Sequence, residues 1–291
     1  MNIVVINNGL GNQMSQYAFY LSKKKYCKNV SVIFDPFSIN EHNGSELDRI
    51  FGIRYPESWL NRIISNIYAY HRRPKIWRLL NMLGVRVIKE PTNYDYSIKF
   101  LTFNKLGLNF YTGGWHSEKY FSGIKDDIIS TFQFKSTNDA DTRFTGIVRD
   151  INNCPESVSL HVRRGDYLLI PQDNPYQLGG VTTIDYYKRA IEKIRDLSNN
   201  IKIYCFSDDL AWCKEQFGED SICYVDCNKG KDSWRDMYLM TLCKYHINAN
   251  STFSWWGAWL CQKEGRIIIC PKYFIRGVVT KDIYPETWIK I

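Results

Sequence analysis

The sequence predicts two successive α/β domains, each built around a parallel sheet. Short β-branched runs alternate with longer segments of helical periodicity, and several of these runs end directly in polar clusters. In open parallel sheets the carboxyl ends of the strands carry the ligand site, so these clusters are the candidate functional residues. The apolar runs are far shorter than the roughly 20 residues that cross a bilayer, and we expect a soluble protein with a hydrophobic core.

The first domain, residues 1–155, opens with a βαβ pattern, which predicts parallel strands. Its predicted elements are a strand over 2–6, a helix over 12–25, a strand over 30–34, a mainly helical region over 50–83 and a loosely alternating segment over 100–110. The second domain, residues 156–291, continues the alternation. Its predicted elements are strands over 157–162, 201–206, 222–225, 247–249 and 266–270, and helices over 184–197, 210–217, 232–243 and from residue 255.

The charge balance of 38 basic and 30 acidic residues gives a net charge of +8, which favours anionic partners. Between Arg62 and Lys89 the basic residues alternate with apolar ones at helical spacing. A solvated helical face and contact with an anionic membrane both stay open for this segment. A nucleic-acid-binding protein is the first alternative function, but it predicts one basic stripe, whereas the basic residues here lie in both halves.

The nine cysteines are odd in number and scattered, which favours buried reduced thiols over a disulfide framework. Neither they nor the five histidines show the spacing of a zinc site, and we expect no metal. The first residues lack the pattern of a secretory signal, so we expect a cytoplasmic protein.

A glycine turn at Gly9 and Gly11 follows the first strand, as in dinucleotide-binding proteins. The third glycine of that fingerprint is missing, because position 14 is Met, and this disfavours the second alternative, a dinucleotide-dependent oxidoreductase. The carboxamides of Asn12 and Gln13 suit sugar hydroxyls or phosphate oxygens. An ordinary helix N-terminal turn stays open as the simpler interpretation.

Two adjacent arginines, Arg163 and Arg164, lie where the strand over 157–162 meets its loop. Adjacent guanidinium groups repel each other unless an anion lies close, and their planar shape suits phosphate oxygens, so a diphosphate is the expected partner. Strand alternation places His161 and Arg163 on one face and Arg164 on the other. A surface turn with an internal salt bridge to Asp166 is the alternative.

Two further clusters follow later strands. Ser207, Asp208 and Asp209 can accept hydrogen bonds from a base edge or a ribose, or can cap the next helix. The hydroxyl-rich run from Asn250 to Ser254 opens a helix and predicts a phosphate cradle in which Phe253 stacks on a flat ring. The tryptophans that follow, Trp255, Trp256 and Trp259, are interpreted as core.

Several motifs together resemble the bacterial α-1,2-fucosyltransferase family of inverting glycosyltransferases. They are the run from Asn7 to Ala18, the block from Gly114 to Phe121, His161–Tyr167, Phe206–Asp209, Asp236–Ile247 and Asn250–Ala258. The motifs occur in order along the whole chain. The chain has Asn8 where a glycine is usual, Ser15 where an aromatic residue is usual and His116 where a glutamine is usual. The difference at His116 leaves the identity of the acceptor open.

The resemblance implies two Rossmann-like domains facing a cleft, in the arrangement called GT-B. It implies inverting transfer of L-fucose from GDP-β-L-fucose to O2 of a terminal galactoside, with no metal or other cofactor, in the synthesis of lipopolysaccharide, capsule or an oligosaccharide. An enzyme of this kind is expected in the cytoplasm or at the cytoplasmic face of the inner membrane. The spacing of Ser207–Asp209 is not that of an Asp-x-Asp metal site, which agrees with a metal-independent transferase.

The motifs and the resemblance together assign the site residues. The expected donor-binding residues are His161, Arg163, Arg164, Asp166, Ser207, Asp208, Asn250, Ser251, Thr252, Phe253 and Ser254. The expected acceptor-side residues are Gly11, Asn12, Gln13, Trp115 and His116, and the expected catalytic residues are Arg163, Asn12 and His116. The general base stays open between His116, Glu118 and the donor phosphate.

The acceptor is expected to contact Trp115 and His116. The tryptophan ring can cover the apolar face of a pyranose while the histidine bonds a ring hydroxyl. The alternative is a core Trp115 beside a solvent-facing His116.

Overall fold

In the computed structural model the chain forms two compact units, Met1–Lys135 and Ser136–Ile291. The structure describes residues 1–56, 58–134, 141–198, 200–218 and 221–291. Their helices are α1 (Leu10–Tyr26), α2 (Leu47–Phe51), α3 (Trp59–Ala69), α4 (Pro74–Met82), α5 (Ile98–Thr102), α6 (Lys125–Thr131), α7 (Thr142–Asn152), α8 (Ile184–Arg195), α9 (Leu210–Phe217), α10 (Trp234–Leu242) and α11 (Thr252–Trp259). Their strands are β1 (Asn2–Ile6), β2 (Val30–Phe34), β3 (Val85–Lys89), β4 (Leu108–Thr112), β5 (Ser157–Val162), β6 (Lys202–Ser207), β7 (Ile222–Tyr224), β8 (Tyr245–Ile247), β9 (Ile267–Cys270) and β10 (Ile289–Lys290).

The first unit is built on a four-stranded parallel sheet with the order β2-β1-β4-β3. All five residues of β1 are buried, as expected for the central strand of a sheet that is covered on both faces. Ile3, Val5 and Phe110 form a core cluster on this sheet, and the partly buried Trp77 and Leu80 of α4 pack against it.

The second unit is built on a six-stranded parallel sheet with the order β10-β9-β8-β5-β6-β7. Its central strand β5 is buried along its whole length. The three tryptophans of α11 are at most 5% exposed, and Trp255 donates its indole N–H to the carbonyl of Ile283 at 2.8 Å. Their interpretation as core residues is confirmed.

The predicted α/β class with parallel sheets is confirmed. The sequence analysis assigned no element to β3, α6, α7 or β10 and placed β8 two residues late. Strands β8 and β10 have only three and two residues, and α7 buries only Phe144 and Ile151. The predicted domain boundary after residue 155 differs from the observed units. Helix α7 lies before that boundary, yet Phe144 and Ile151 belong to a core cluster of the second unit with Tyr204 and Leu239.

All nine cysteines are free thiols, and six of them are buried. Among the described residues, no helix combines the length and the hydropathy that a membrane span requires.

Candidate active site

In the second sheet the strand order reverses once, beside β5, and in the first sheet β1 and β4 lie side by side in its centre; the predicted site residues follow these strands. In the second sheet β6 and β8 lie on opposite sides of β5, and the chain leaves β5 at His161–Arg164 and β8 at Asn248–Ser254. In the first sheet β2 and β4 flank β1, which leads into Asn7–Gly11, and β4 leads into Gly113–His116. The point at which the strand order reverses is the usual ligand site of an open α/β sheet.

Arg163 is held by two aspartates. Its Nη2 donates to Asp166 Oδ2 at 2.9 Å, and its Nη1 lies 3.3 Å from Asp208 Oδ2. The two carboxylates raise the pKa of the guanidinium further, although burial opposes them. The side chain keeps 31% of its surface exposed, and that of Asp166 keeps 51%. The positive charge is therefore fixed in place but accessible at the edge of the sheet.

Arg164 points to a different set of partners. Its Nε lies 3.3 Å from Asp209 Oδ2, and its guanidinium stacks 4.0 Å from the ring centre of Trp212. Its backbone N–H donates to Asp208 Oδ1 at 3.0 Å. The two guanidinium groups have different partners, but the anions that relieve their repulsion are aspartates of the chain itself. The internal salt bridge considered as the alternative is therefore present.

The aspartates after β6 are positioning groups. Asp209 caps α9 by accepting from the N–H of Trp212 at 3.1 Å, and its own N–H donates to Ser207 Oγ at 2.9 Å. Asp208 joins the side chain of Arg163 to the backbone of Arg164. The side chains of Ser207 and Asp208 hold this loop together and keep part of their surface exposed, so their contact with the nucleoside stays a prediction.

Gly165 allows Asp208 to approach the arginine turn. A Cβ at this position would lie 2.7 Å from Asp208 Oδ2 and 3.3 Å from Asp208 Cγ. Real Cβ contacts are longer than this, so a side chain at residue 165 would displace the carboxylate.

His161 is buried beside these charges. Burial, and to a smaller extent the charge of Arg163, lowers its pKa to about 3, so the ring is neutral at physiological pH. Its Nδ1 is buried without a hydrogen-bond partner in the described part of the chain, and so are both amide atoms of Asn248. The register pairs Leu160 with Ile247, which makes His161 and Asn248 neighbours. Unsatisfied buried polar groups are rare in folded proteins, and a bound water, an ion or a ligand group can satisfy them.

The run from Asn250 to Ser254 forms the start of α11 as predicted. Ser251 is the N-cap and accepts from the N–H of Phe253 at 3.3 Å. Thr252 and Phe253 keep partial exposure, and the Phe253 ring centre lies 5.9 Å from that of His161. The helix N-terminus favours an anion, and the partly exposed aromatic ring can stack on a base.

Two side chains of this run do not fit the predicted cradle. The amide nitrogen of Asn250 donates to the carbonyls of Leu178 and Phe274, both at 2.9 Å, and the residue is fully buried. The hydroxyl of Ser254 is buried and donates to the carbonyl of Ser251 at 3.4 Å. The expectation that these two side chains bind the donor is corrected for Ser254, which bonds its own helix, and for the amide nitrogen of Asn250, which ties two loops together. The Oδ1 atom of Asn250 is buried without a hydrogen-bond partner among the described residues, as the amide of Asn248 is.

A buried carboxyl organises the corresponding edge of the first sheet. Glu90 follows β3, and its Oε2 accepts from the N–H groups of Gly114 at 2.8 Å and Trp115 at 2.7 Å. Burial raises the pKa of Glu90 to about 8, against these two hydrogen bonds. A Cβ on Gly113 would lie 2.4 Å from Glu90 Cβ, so the glycine permits the close approach.

Trp115 and His116 are both inside this unit. Trp115 is fully buried and stacks on Phe19 at a ring distance of 4.1 Å. Its predicted role as a platform for the acceptor is wrong, because the core covers the ring. His116 is 3% exposed, its Nε2 would lie 2.1 Å from a Cβ on Gly114, and burial lowers its pKa to about 3. Because it is buried, His116 neither bonds a hydroxyl of the acceptor sugar from an exposed position nor faces solvent in a turn, which were the two expectations from the sequence.

Residues of the glycine turn before α1 are also mostly buried or hydrogen-bonded within the first unit. Gln13 is buried, donates to the carbonyls of Asn8 and Gly44, both at 2.7 Å, and accepts from the N–H of Glu46 at 2.9 Å. Gly11 is buried in the first turn of the helix. The acceptor-side role of these two residues is corrected to support of the loop. Asn12 is partly exposed, and its side-chain amide has no hydrogen bond to the described residues.

Asn8 departs from the usual glycine at a position where φ is +61°. This left-handed conformation favours glycine, and asparagine is among the few other residues that adopt it readily. The departure therefore keeps the backbone shape of the turn.

The acidic residues near the arginines are all engaged by cations or backbone N–H groups. No group of three or more His, Cys, Asp or Glu side chains in the described ranges is arranged to hold a metal ion.

Three residues of the site were missed by sequence reasoning. Glu90 follows a strand that was not predicted. The role of Gly165 becomes clear only from the position of Asp208 beside it. Trp212 belongs to the helix after Asp209 and stacks on Arg164. Tyr167, which donates to the carbonyl of Asn250 at 3.3 Å, was part of the quoted motif but had no assigned role.

Two bacterial proteins are similar to this chain over its whole length. The α-1,2-colitosyltransferase of Escherichia coli is 32% identical over 100% of this chain and 99% of its own. The O-antigen biosynthesis glycosyltransferase WbnK of Escherichia coli is 31% identical over 98% of this chain and 99% of its own. Human galactoside α-(1,2)-fucosyltransferase 1 is 30% identical over 35% of this chain and 28% of its own.

Solved structures share the α/β fold of this chain. The crystal structure of the α-1,6-fucosyltransferase NodZ soaked with GDP-fucose superimposes with a TM-score of 0.51 at 17% identity, covering 89% of this chain and 91% of that one. The structure of NodZ from Bradyrhizobium gives a TM-score of 0.50 at 16% identity over 88% and 91% of the two chains. The sequence profile described as glycosyl transferase family 11 matches residues 61–291. With the switch-point motifs and two full-length relatives, this match establishes that the chain is a glycosyltransferase and belongs to glycosyl transferase family 11.

Proposed function

We propose that this glycosyltransferase moves L-fucose from GDP-β-L-fucose to O2 of a terminal galactoside, inverting the anomeric centre to give an α-1,2 linkage. Family membership supports the reaction type, and the names of the relatives support the linkage. The second unit holds the donor in this proposal, and the first unit holds the acceptor. Synthesis of a surface glycan is the corresponding role, since one full-length relative is an O-antigen biosynthesis enzyme.

The donor assignment depends mainly on Arg163, whose ion pair with Asp166 a phosphate group can replace. The ion pair with Asp166 is exposed on both sides, and exposed pairs stabilise a protein by only about 0–1 kcal/mol. A phosphate oxygen can therefore replace Asp166 at little cost, while the less exposed Asp208 keeps the guanidinium in place. The internal salt bridge thus preorganises the arginine and does not exclude the diphosphate.

The neighbouring groups complete a nucleotide site. The N-terminus of α11 presents backbone N–H groups and the positive end of its dipole to an anion. His161 and Asn248 supply unsatisfied polar atoms, and the partly exposed Phe253 supplies a ring for the guanine base. The histidine is neutral, so Arg163 supplies the charge that balances the diphosphate.

Arg163 acts on the leaving group in the proposed mechanism. Breaking the bond between fucose and phosphate places additional negative charge on GDP, and a preorganised cation stabilises that charge more in the transition state than in the ground state. The acceptor hydroxyl attacks from the opposite face of the sugar as the bond to GDP breaks, and its proton passes to a base, for which Glu118 and the donor phosphate are the candidates beside the buried His116. The carboxylates beside Arg163 are engaged by guanidinium groups, which supports the proposal that the arginine rather than a divalent cation balances this charge.

Asn12 is the acceptor-side group that the geometry leaves available. It is partly exposed at the start of α1, which follows the carboxyl end of β1 in the first sheet. His116 is a poor general base, because a pKa near 3 is far from the range in which a proton is accepted efficiently at neutral pH. We therefore give Asn12 a role in orienting the sugar and His116 a role inside the loop.

Mass spectrometry of reactions with GDP-fucose and a panel of galactosides tests the proposal. The expected product is one deoxyhexose heavier than the acceptor, carries the new linkage at O2, and forms equally in the presence of EDTA. Absence of transfer to every galactoside would overturn the assigned activity. Loss of activity in EDTA and its recovery with Mn²⁺ would overturn metal independence alone.

Colitose is the second candidate sugar, because a full-length relative is named an α-1,2-colitosyltransferase. The same acceptors are incubated with equal concentrations of the fucose and colitose nucleotides. A higher kcat/KM for the fucose donor supports our assignment, and the reverse ratio would transfer it to colitose.

A further inference from the structure

Two helices of the first unit expose apolar side chains that the core does not use. On α3 the inner face is formed by Ile64 and Tyr68, yet Trp59 is 74% exposed, and Leu60 and Ile63 also face solvent. Helix α4 has no buried residue at all. Its outward apolar side chains are Ile76, Leu79 and Met82, followed by the C-cap Leu83, and Met82 is 80% exposed.

The segment that contains these two helices carries positive charge without any negative charge. From residue 58 to residue 89 the sequence has no Asp or Glu, and it has seven basic residues, namely Arg62, Arg72, Arg73, Lys75, Arg78, Arg86 and Lys89. The first five of these are exposed, and none of the five forms an ion pair within the described residues. We call these five cations and the exposed apolar residues of α3 and α4 the basic-apolar surface.

The turn between the two helices packs against both of them. The ring of His71, in the turn between them, stacks on Tyr68 at 4.4 Å, and its Nδ1 bonds the carbonyl of Tyr68 at 2.7 Å. The same ring meets Trp77 of α4 edge-on at 6.4 Å. Arg72 lies 3.7 Å from the ring centre of Phe37, so the turn is also fixed to the rest of the unit. The exposure of the apolar residues is therefore a property of the folded unit.

We propose that the basic-apolar surface docks on an anionic lipid bilayer. Amphipathic helices bind at a bilayer interface when bulky apolar side chains enter the headgroup region and flanking Lys and Arg side chains contact anionic lipids. Trp59, Leu79 and Met82 are the inserting side chains, and Arg73, Lys75 and Arg78 are the lipid-phosphate contacts.

The charge and the apolar side chains of this surface favour a bilayer over other binding partners. A second copy of the chain would bring the five cations against the same five, with no acidic partner in the segment, which is unfavourable. A nucleic acid would satisfy the cations but would leave Leu79, Met82 and Leu83 in contact with a polar backbone. An anionic bilayer satisfies the charges and also removes the apolar side chains from water.

Sedimentation with lipid vesicles tests the proposal without donor or acceptor, so its outcome does not depend on the proposed transfer reaction. The protein is expected to bind vesicles that contain phosphatidylglycerol, to bind pure phosphatidylcholine weakly, and to be released by high salt. Replacing three cations together, Arg73→Gln, Lys75→Gln and Arg78→Gln, should weaken binding about 100-fold, from roughly 1 kcal/mol for each basic residue near the surface. Trp59→Ser with Leu79→Ser should weaken it by about tenfold or more while all charges are kept.

Matched controls change the same chemistry elsewhere in the first unit. Lys24→Gln, Lys28→Gln and Lys99→Gln remove three exposed cations, and Leu106→Ser removes a side chain that is 95% exposed. These variants should bind vesicles as the wild type does. Equal binding to both kinds of vesicle, or equal losses in the surface variants and the controls, would overturn the proposal. So would self-association that Trp59→Ser with Leu79→Ser abolishes, or binding of an oligonucleotide as tight as that of the vesicles.

Discussion

A methyl group at residue 165 tests the arrangement around Arg163 with a minimal change. In Gly165→Ala the new Cβ would lie 2.7 Å from Asp208 Oδ2, whereas ordinary contacts begin at 3.4 Å. The carboxylate oxygen must then move by about 0.7 Å, the difference between these two distances. Such a shift can lengthen the 3.3 Å contact with Arg163 Nη1 to about 4.0 Å, the outer limit of an ion pair.

The expected cost follows from this one lost interaction. A hydrogen bond to a charged group stabilises by roughly 1.5–3 kcal/mol, and we reduce this to about 1 kcal/mol because both side chains are partly exposed. If Arg163 must be positioned by Asp208 to bind a diphosphate, the Kd for GDP should rise about fivefold. Isothermal titration calorimetry of GDP binding measures this change directly.

A double-mutant cycle separates the proposed cause from other effects of the methyl group. In the Asp208→Ala background the conflicting carboxylate is gone, so adding Gly165→Ala should change the Kd by less than about twofold. Gly146→Ala is the matched control, because a Cβ at this position of α7 meets no atom within 4 Å. A fivefold loss that persists without Asp208, or GDP binding by Gly165→Ala at the wild-type Kd, would refute the reasoning.

Three further changes test the remaining assignments. Arg163→Ala should lower kcat about 10²–10³-fold, and Arg163→Lys should lower it less, because lysine keeps the charge but not the planar fork. Glu90→Gln should flatten the pH dependence of stability. Because burial raises the pKa of the Glu90 carboxyl to about 8 in the folded protein, the wild type should lose stability as the pH rises from about 4.5 to about 8. Denaturant unfolding across this pH range measures the difference. Trp115→Ala should lower the free energy of unfolding by about 3–5 kcal/mol.

Two of these changes have a matched control, and each has an outcome that would contradict it. Arg149→Ala removes an exposed arginine of α7 and should keep the wild-type kcat, whereas a fully active Arg163→Ala would move the diphosphate contact elsewhere. An unchanged slope of stability against pH in Glu90→Gln would mean that Glu90 is already ionised in the folded protein. Trp59→Ala should leave stability nearly unchanged, and a stable Trp115→Ala with an altered acceptor KM would restore the platform role of Trp115.

The sequence was sufficient for the class of fold because buried strands have a local signature. Strands β1, β2 and β5 were predicted at their observed bounds, since each is a short β-branched or apolar run that ends in polar residues. Strand β3 was not, because Arg86 and Lys89 interrupt its pattern and only Val85 is buried. Helix α7 was missed for a similar reason: of its eleven residues only Phe144 and Ile151 are buried.

The site was predicted as a set of positions, but the role of each side chain needed the tertiary structure. The motif residues around Arg163 do meet at the carboxyl ends of neighbouring strands, as parallel topology requires. The sequence could not show that Trp115 turns inward, because this depends on Phe19 from a helix almost a hundred positions earlier in the chain. It likewise could not show that Gln13 spans to the loop at Gly44.

Burial divides the motif residues into two groups that will behave differently when they are mutated. Gln13, Glu90 and Asn250 are buried and bond the backbone of loops distant in sequence, so substitutions there should lower stability and binding together. Arg163 and Asn12 keep exposed surface, and Arg163 has one exposed partner that a ligand can replace. Because only groups of this second kind can gain contacts in the transition state without losing folded structure, they are where changes in kcat should occur without a change in stability.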